Sequence, residues 1–266
     1  HVDGLEWKRG KWGPAGQRYY RAAEAAAVRL SDALIADAQG IADYYAQEFS
    51  APTELISYGA PRVPTRTDRL AELDLEAGGY HLVVARFEIE NHIDVVVDGY
   101  TRSSARRPLV VVGSAPYADE YTRRVESLAD ARVRLLGGVW DQELLDQLYT
   151  GALVYHHGHS VGGTNPSLLR AIGAGTAVDA FDVSFNREVL GEAGRYWSDA
   201  DDVAGLVDSA EADPAAQLER GARSLERARL YDWDEVADRY EALARRLAAQ
   251  GPSRHRPSGR RAGVSG

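Results

Sequence analysis

Cysteine and methionine are both absent from the chain. Without cysteine it can form no disulfide and no thiolate metal site, which fits a protein of the cytoplasm. Without methionine, and opening on His1–Val2–Asp3, it shows no initiator, so it is expected to be an N-terminally truncated piece of a longer polypeptide. No uninterrupted apolar run approaches the roughly 20 residues that a membrane span requires. Positive charge is in the minority. The 31 Lys and Arg face 40 Asp and Glu, and the net charge of -9 argues against a general nucleic-acid binder. The 266 residues suffice for one or two domains with a sizeable core.

Familiar catalytic signatures are missing too. No Gly-x-Ser-x-Gly elbow supports a Ser-His-Asp enzyme, and no Walker pattern is present. The strand after which a dinucleotide fingerprint would stand ends Ala85-Arg86-Phe87-Glu88, without glycine, which disfavours a nicotinamide dehydrogenase. His156, His157 and His159 lie close together, but no acidic partner has ligand spacing, so no metal is expected.

What is present is a regular alternation. Apolar runs at His81–Ala85, Leu109–Val112, Val133–Leu136, Ala152–Tyr155 and Thr176–Phe181 read as strands. Helical stretches around Ile93–Tyr100, Asp119–Leu128 and Gln142–Tyr149 separate them. Such an order predicts an α/β fold with a parallel sheet covered on both faces. Before it, Arg18–Leu30 and Ile41–Phe49 read as helices, and Ala33–Ala36 and Leu55–Tyr58 as strands. Residues 59–79, with three prolines, charges and a Gly-Gly, read as a linker. Residues 214–249 read as amphipathic helix, with Trp233, Val236, Tyr240, Leu243 and Leu247 on one stripe. The Gly-, Pro- and Arg-rich residues 250–266 read as a disordered basic tail.

The stretch HHGHSVGGTNPSLLRAIGAG, residues 156–175, organises the rest. It predicts a strand end, a glycine loop, and a helix capped by Asn165 with Pro166 in its first turn. Gly162 and Gly163 allow close backbone approach, and the helix N-terminus favours anionic oxygens. Ligands of parallel sheets sit beyond the C-terminal strand ends, where Arg86, Gly113 and residues 156–163 all fall. An arginine at one strand end and a capped helix at another suit the diphosphate of an activated sugar, and would stabilise a departing nucleoside diphosphate.

These residues carry a resemblance. Residues 152–197, together with VVARFEIENHIDVVVDGY (83–100) and VVVGSAP (110–116), resemble the donor domain of GT-B glycosyltransferases of the family 4 type (group 1). DGLEWKRGKW near the start resembles a bacterial subgroup of rhamnosyltransferase-like enzymes of surface-polysaccharide synthesis. The resemblance implies a Rossmann-like donor domain at 80–230 and the C-terminal part of an acceptor-side domain at 1–58. A helix at 231–249 would cross back to the latter. It implies a retaining, metal-independent hexosyltransferase that needs no cofactor. Its donor would be a nucleoside-diphosphate sugar, and its acceptor lipid-linked or an oligosaccharide. It would work in the cytoplasm or peripherally at the inner membrane face. The truncated chain alone would be inactive.

Residue by residue, the resemblance places the donor and its phosphates at Arg86, Asn91, Gly113, His159, Ser160, Gly162, Gly163, Thr164, Asn165, Arg170 and Glu188. It offers Asp3 and Glu6 as acceptor-side catalytic carboxylates. Two departures stand out. The family's Glu-x7-Glu pair falls on Gly162 and Arg170, and an arginine cannot accept the ribose hydrogen bonds that the second Glu commonly takes. The phosphate-binding Lys falls on the uncharged Asn91. These departures keep a second expectation open, a degenerate domain that binds a nucleotide sugar without catalysis. An epimerase on the same fold ranks lower, since its motifs are absent.

Overall fold

The strand-forming runs are short, and the central ones are rich in buried Val and Leu, as befits strands covered on both faces. The computed structural model describes residues 1–2, 5–114 and 119–250. In it these runs become β3 (His81–Val84), β4 (Leu109–Val112), β5 (Val133–Gly137), β6 (Val154–His157) and β7 (Val178–Phe181), and a sixth strand, β8 (Arg195–Trp197), follows. The helices between them are α3 (Ile93–Arg102), α4 (Asp119–Leu128), α5 (Gln142–Gly151), α6 (Pro166–Gly173) and α7 (Ser184–Leu190), followed by α8 (Ala200–Ala212) and α9 (Pro214–Ala228). All six strands are parallel, in the order β5-β4-β3-β6-β7-β8. Strand order therefore reverses between β3 and β6, and a crevice opens there at the C-terminal ends.

Alternation along each strand sorts the core into two layers. Leu82, Val110, Val112, Tyr155 and Val178 face α5 and α6, packing on Leu148, Tyr149, Leu168 and Ile172. Val83, Leu109 and Val111 face the other way, onto Ile93, Val97, Tyr100 and Val203. Asn165 caps α6 by accepting from the Ser167 amide, and Pro166 takes the first turn, as expected.

A smaller unit precedes this sheet. It holds α1 (Pro14–Leu30), β1 (Ile35–Ala36), α2 (Gln39–Phe49) and β2 (Glu54–Leu55), with Val2 bridging to Ala36. Its core of Leu34, Ala36, Ile41 and Tyr45 closes over Phe185 of the larger unit. The helix expected from residue 18 starts at Pro14 and has no fully buried residue; Leu30 is 74% exposed. Alanine-rich propensity forms α1. Glu24 anchors it by accepting from the Tyr44 and Tyr45 hydroxyls.

Two other readings gain detail from the structure. Residues 59–79 are no free tether. A 3-10 turn at Leu70–Leu73 buries Leu70, and Arg66 and Arg69 pair with Glu143 and Asp141 of the α5 region. The stretch 214–249 is two helices. The chain turns after α9, and the Asp232 carboxylate caps α10 (Trp233–Gln250) by accepting from Asp234 and Glu235 amides. On α10, Val236 and Leu243 pack on Ile56 of the first unit, while Trp233 stays half exposed. Residues 251–266, read as a tail, lie outside the described residues.

Candidate functional site

A cleft of about 320 Å³ lies at the point where the strand order reverses. Its walls come from the ends of β3, β4, β5 and β6 and from the start of α6. Arg86 leaves β3 with its side chain 61% exposed and, among the described residues, ion-paired with Glu88 at 3.3 Å, so its guanidinium stands at the solvent-facing rim. Gly113 leaves β4 with φ 148, where a Cβ would stand 1.8 Å from the Ala85 carbonyl oxygen. Only glycine lets these two exits run side by side. Asn165 and Ser167 present the α6 N-terminus to the same space.

Asn91 and His159 form the bridge beneath the cleft. Asn91 Nδ2 donates to the Arg86 carbonyl at 2.8 Å, which orients its Oδ1 towards His159 Nδ1 at 2.9 Å. Burial, with Arg9 and Arg86 nearby, holds the His159 pKa down at about 4. The ring is therefore neutral, and its Nδ1–H donates to Asn91. The position that the resemblance gives to a phosphate-binding lysine thus ties the loop after β3 to the loop after β6.

The remaining candidates separate. Ser160 is pinned by its amide and hydroxyl to the Glu90 carbonyl, and His92 Nε2 lies 2.9 Å from its Oγ. Ser160 and Gly162 line a second cavity of about 320 Å³, shared with Lys8 and Tyr44 of the first unit. A Cβ on Gly163 would lie 2.0 Å from Asp37 Oδ1, and Thr164 Oγ1 donates to the Asp37 carbonyl at 2.8 Å. Asp37 of the first unit therefore occupies the space on the Cβ side of Gly163.

Arg170 turns to Asp146 of α5 and does not line the cleft. Glu188 accepts from the Gln39 amide at 2.9 and 3.1 Å and so caps α2; burial raises its pKa. Glu6 sits on the opening loop, engaged by Arg9, Lys11 and Trp12. Desolvation pushes its pKa up, but the bonds from Lys11 and Trp12 and the charge of Arg9 outweigh it and leave the carboxyl below its usual range. Such a carboxylate is a weak base. Asp3 lies outside the described residues.

Beside the cleft, Arg9 reaches across from the first unit to Glu90 at 3.6 Å and Glu88 at 3.9 Å. Burial, reinforced by Glu88, raises the pKa of Glu90. The histidines divide between the two faces of the sheet. His156 pairs with His81 at 3.1 Å among the α3-side residues, and burial, then His81, hold its pKa at about 3. His157 lines the cleft with Tyr155.

Tyr155, His157, Ser167 and Trp140 also line the cleft, and the sequence reading does not place them at the donor site. A tryptophan after a Gly-Gly at a strand end was a usable signal for Trp140, which is 91% exposed. Strand alternation was the signal for Tyr155 and His157. Nothing near Asp37 in sequence announced its contact with the glycine loop. Among the described residues, no group of three or more His, Asp and Glu is arranged to hold a metal ion. None of the described helices is long and apolar enough to cross a membrane. An elongated anionic ligand, its charge at Arg86 and the α6 end and an aromatic group near Trp140, matches this lining.

The family described as "Glycosyl transferases group 1" matches residues 79–212, half of the chain. Residues 1–61 match a "Domain of unknown function (DUF1972)". No curated protein matches the chain in sequence. Among solved structures, sucrose-phosphate synthase from Thermosynechococcus elongatus is 22% identical, with a TM-score of 0.80 over 93% of this chain and 66% of that one. The Anabaena protein HepE in complex with UDP is 15% identical, with a TM-score of 0.74 over 92% of this chain and 71% of that one. The pneumococcal O-GlcNAc transferase GtfA, in complex with UDP and GlcNAc, is 17% identical, with a TM-score of 0.67 over 86% of this chain and 47% of that one. At these identities the likeness is one of fold, and the chain spans only part of each neighbour's length.

Proposed function

The chain belongs to the group 1 glycosyl transferases, and from that premise we propose that it moves a sugar from a nucleoside-diphosphate sugar to a lipid-linked or oligosaccharide acceptor. The observation that carries this reading is the cleft where the strand order reverses, with the exposed Arg86 guanidinium at its rim and the capped α6 pointing into it. Both groups favour negative charge, and charge grows on the departing diphosphate as the glycosidic C–O bond breaks. Neighbours of the same fold that hold UDP or UDP with GlcNAc support this choice of donor class.

In this reading the transfer is retaining, moves a hexosyl or rhamnosyl-type unit, and needs neither metal nor cofactor, because Arg86 and the helix end supply the charge. The acceptor approaches from the side of the first unit, where Lys8 and Tyr44 face Ser160 and Gly162 across the second cavity. Surface-polysaccharide synthesis on the cytoplasmic face of the inner membrane is the setting it proposes.

The test is calorimetric titration of a panel of nucleoside diphosphates and the bare nucleosides. Arg86→Ala should weaken the diphosphates by roughly 10- to 100-fold, the worth of a charge-assisted contact, and leave the nucleosides unchanged. Equal losses for both ligands would show that Arg86 does not touch phosphate.

A second reading, a nucleotide-sugar-binding domain without transfer, draws on Arg170 turned to Asp146 and Asn91 spent on the Arg86–His159 bridge. Binding of a nucleoside diphosphate with neither transfer nor donor hydrolysis would select it.

A further inference from the structure

His157 is 3% exposed, lines the cleft floor, and has no hydrogen-bond partner at Nε2 among the described residues. A buried polar atom without a partner calls for an explanation. The bonds behind the ring decide what Nε2 can do.

Asn165 Oδ1 accepts from the Ser167 amide at 2.9 Å, so that atom is the oxygen of the amide. Ser167 Oγ lies 2.7 Å from the same oxygen, so the serine spends its only hydrogen there. Ser167 Oγ can then only accept, and it faces the Tyr155 hydroxyl at 3.0 Å. The Val84 carbonyl, 3.3 Å from the phenol oxygen, is also an acceptor, and the neighbouring Tyr149 hydroxyl can donate to that oxygen but cannot supply a proton between Tyr155 and Ser167. If Tyr155 gave its hydrogen to His157, the phenol oxygen would face both with no proton between them. Tyr155 therefore donates to Ser167, and its oxygen accepts from His157 Nδ1 at 3.1 Å. Nδ1 carries the ring proton, and Nε2 carries the lone pair. Burial, with His159 alongside, keeps a second proton off the ring.

We propose that His157 Nε2 is a fixed hydrogen-bond acceptor on the cleft floor that takes the hydrogen of a hydroxyl on the bound nucleotide sugar. An ionised phosphate has no hydrogen to offer it, so the partner is a neutral hydroxyl. That hydroxyl belongs to the ribose or to the transferred sugar. Arg170, diverted to Asp146, does not compete for the position. His157 thus selects ligands and, on this proposal, touches substrate without taking part in bond breaking. The proposal rests on the nucleotide-sugar reading above.

Two measurements test it on the whole chain. Histidine 15N NMR reads the tautomer without any ligand. His157 should show a protonated Nδ1, and a protonated Nε2 would overturn the proposal. Calorimetry then compares a nucleoside diphosphate with its 2′-deoxy and 3′-deoxy forms, and the full nucleotide sugar with deoxygenated sugar analogues. One missing hydroxyl should weaken binding by about tenfold, the scale of one hydrogen bond between neutral groups. His157→Leu should erase that gap, in the ribose series or in the sugar series, and the series affected identifies the hydroxyl. Tyr155→Phe, which keeps the histidine, should shrink the same gap by releasing the tautomer. A gap that persists in both folded variants, or equal losses for every ligand, would overturn the proposal. Failure of the wild type to bind any nucleoside diphosphate would instead defeat the nucleotide-sugar reading, and the hydroxyl partner with it.

Discussion

Arg170→Glu places the residue that the resemblance expects at a position this fold uses otherwise. Arg170 Nη1 and Asp146 Oδ1 form a close ion pair, with side chains only 25% and 19% exposed. Gln142 Nε2 adds a second donor to the same carboxylate oxygen at 3.1 Å. Removing a hydrogen-bonded charge partner costs about 1.5–3 kcal/mol. Two carboxylates about 4 Å apart would repel by about 4 kcal/mol at an effective dielectric near 20. The quarter-exposed site lets the new side chain swing outward and relieve most of that repulsion. The net loss should be about 3 kcal/mol, a large share of the roughly 5–15 kcal/mol available to a folded domain. It corresponds to a fall of about 6–12 °C in Tm. Urea unfolding of the wild type and four variants measures it: Arg170→Ala, Arg170→Glu, Arg170→Glu with Asp146→Asn, and Arg170→Glu with Asp146→Arg. Arg170→Glu should be the least stable, and the Asn partner should recover the repulsive part. The reversed pair should approach wild type. A stability within 0.5 kcal/mol of wild type for Arg170→Glu, which is ordinary for an inert surface change, would refute the reasoning.

Asp179, wholly buried between Arg195 and Arg220 at 2.8 Å each, should not tolerate asparagine; about 3–5 kcal/mol is expected from two arginines left unbalanced, read by chemical denaturation. Gly113→Ala should fail to give folded protein, or lower Tm sharply, because its Cβ would meet the Ala85 carbonyl 1.8 Å away at a φ of 148. Stability should also fall with acid between pH 7 and 5. His156 and His159 are held at about 3 and about 4 in the folded chain, below the 6.5 of an unfolded histidine, so these two rings gain protons in that window only when the chain is unfolded. Each should remove about 2 kcal/mol over those two pH units. Glu90 and Glu188, with raised pKa values, oppose this in part by taking up protons in the folded state. A flat urea midpoint from pH 7 to 5 would contradict the assignment.

Periodicity and chain punctuation made much of the donor unit legible. The runs that became β3, β4 and β5 were apolar and separated by amphipathic stretches, so a parallel sheet was the direct reading. Asn165 and Pro166 announced the start of α6 because capping depends on a few adjacent residues, and that start forms one wall of the cleft. Arg86 and Gly113 could be placed at the site because a parallel sheet brings the ends of distant strands to one edge. The boundaries were less legible. The opening strand was read as Ala152–Tyr155, but β6 runs over Val154–His157 because pairing with β7 sets its register. That shift alone carries His157 from the loop into the strand, with its ring on the cleft face.

The amino-acid sequence by itself determined the elements and their succession, since hydrophobic period, caps and prolines act within a few residues. The tertiary structure alone decided which candidates share one space. Asp37 fills the side of Gly163, Asp146 draws Arg170 away, and Gln39 takes the Glu188 carboxylate. Each of these partners lies far along the chain or on another element, and no local pattern encodes the meeting. The tautomer of His157 follows the same rule. It depends on Tyr155, Ser167 and Asn165 being brought within 3.1 Å of one another in turn, which strand pairing and the packing of α6 on the sheet accomplish together.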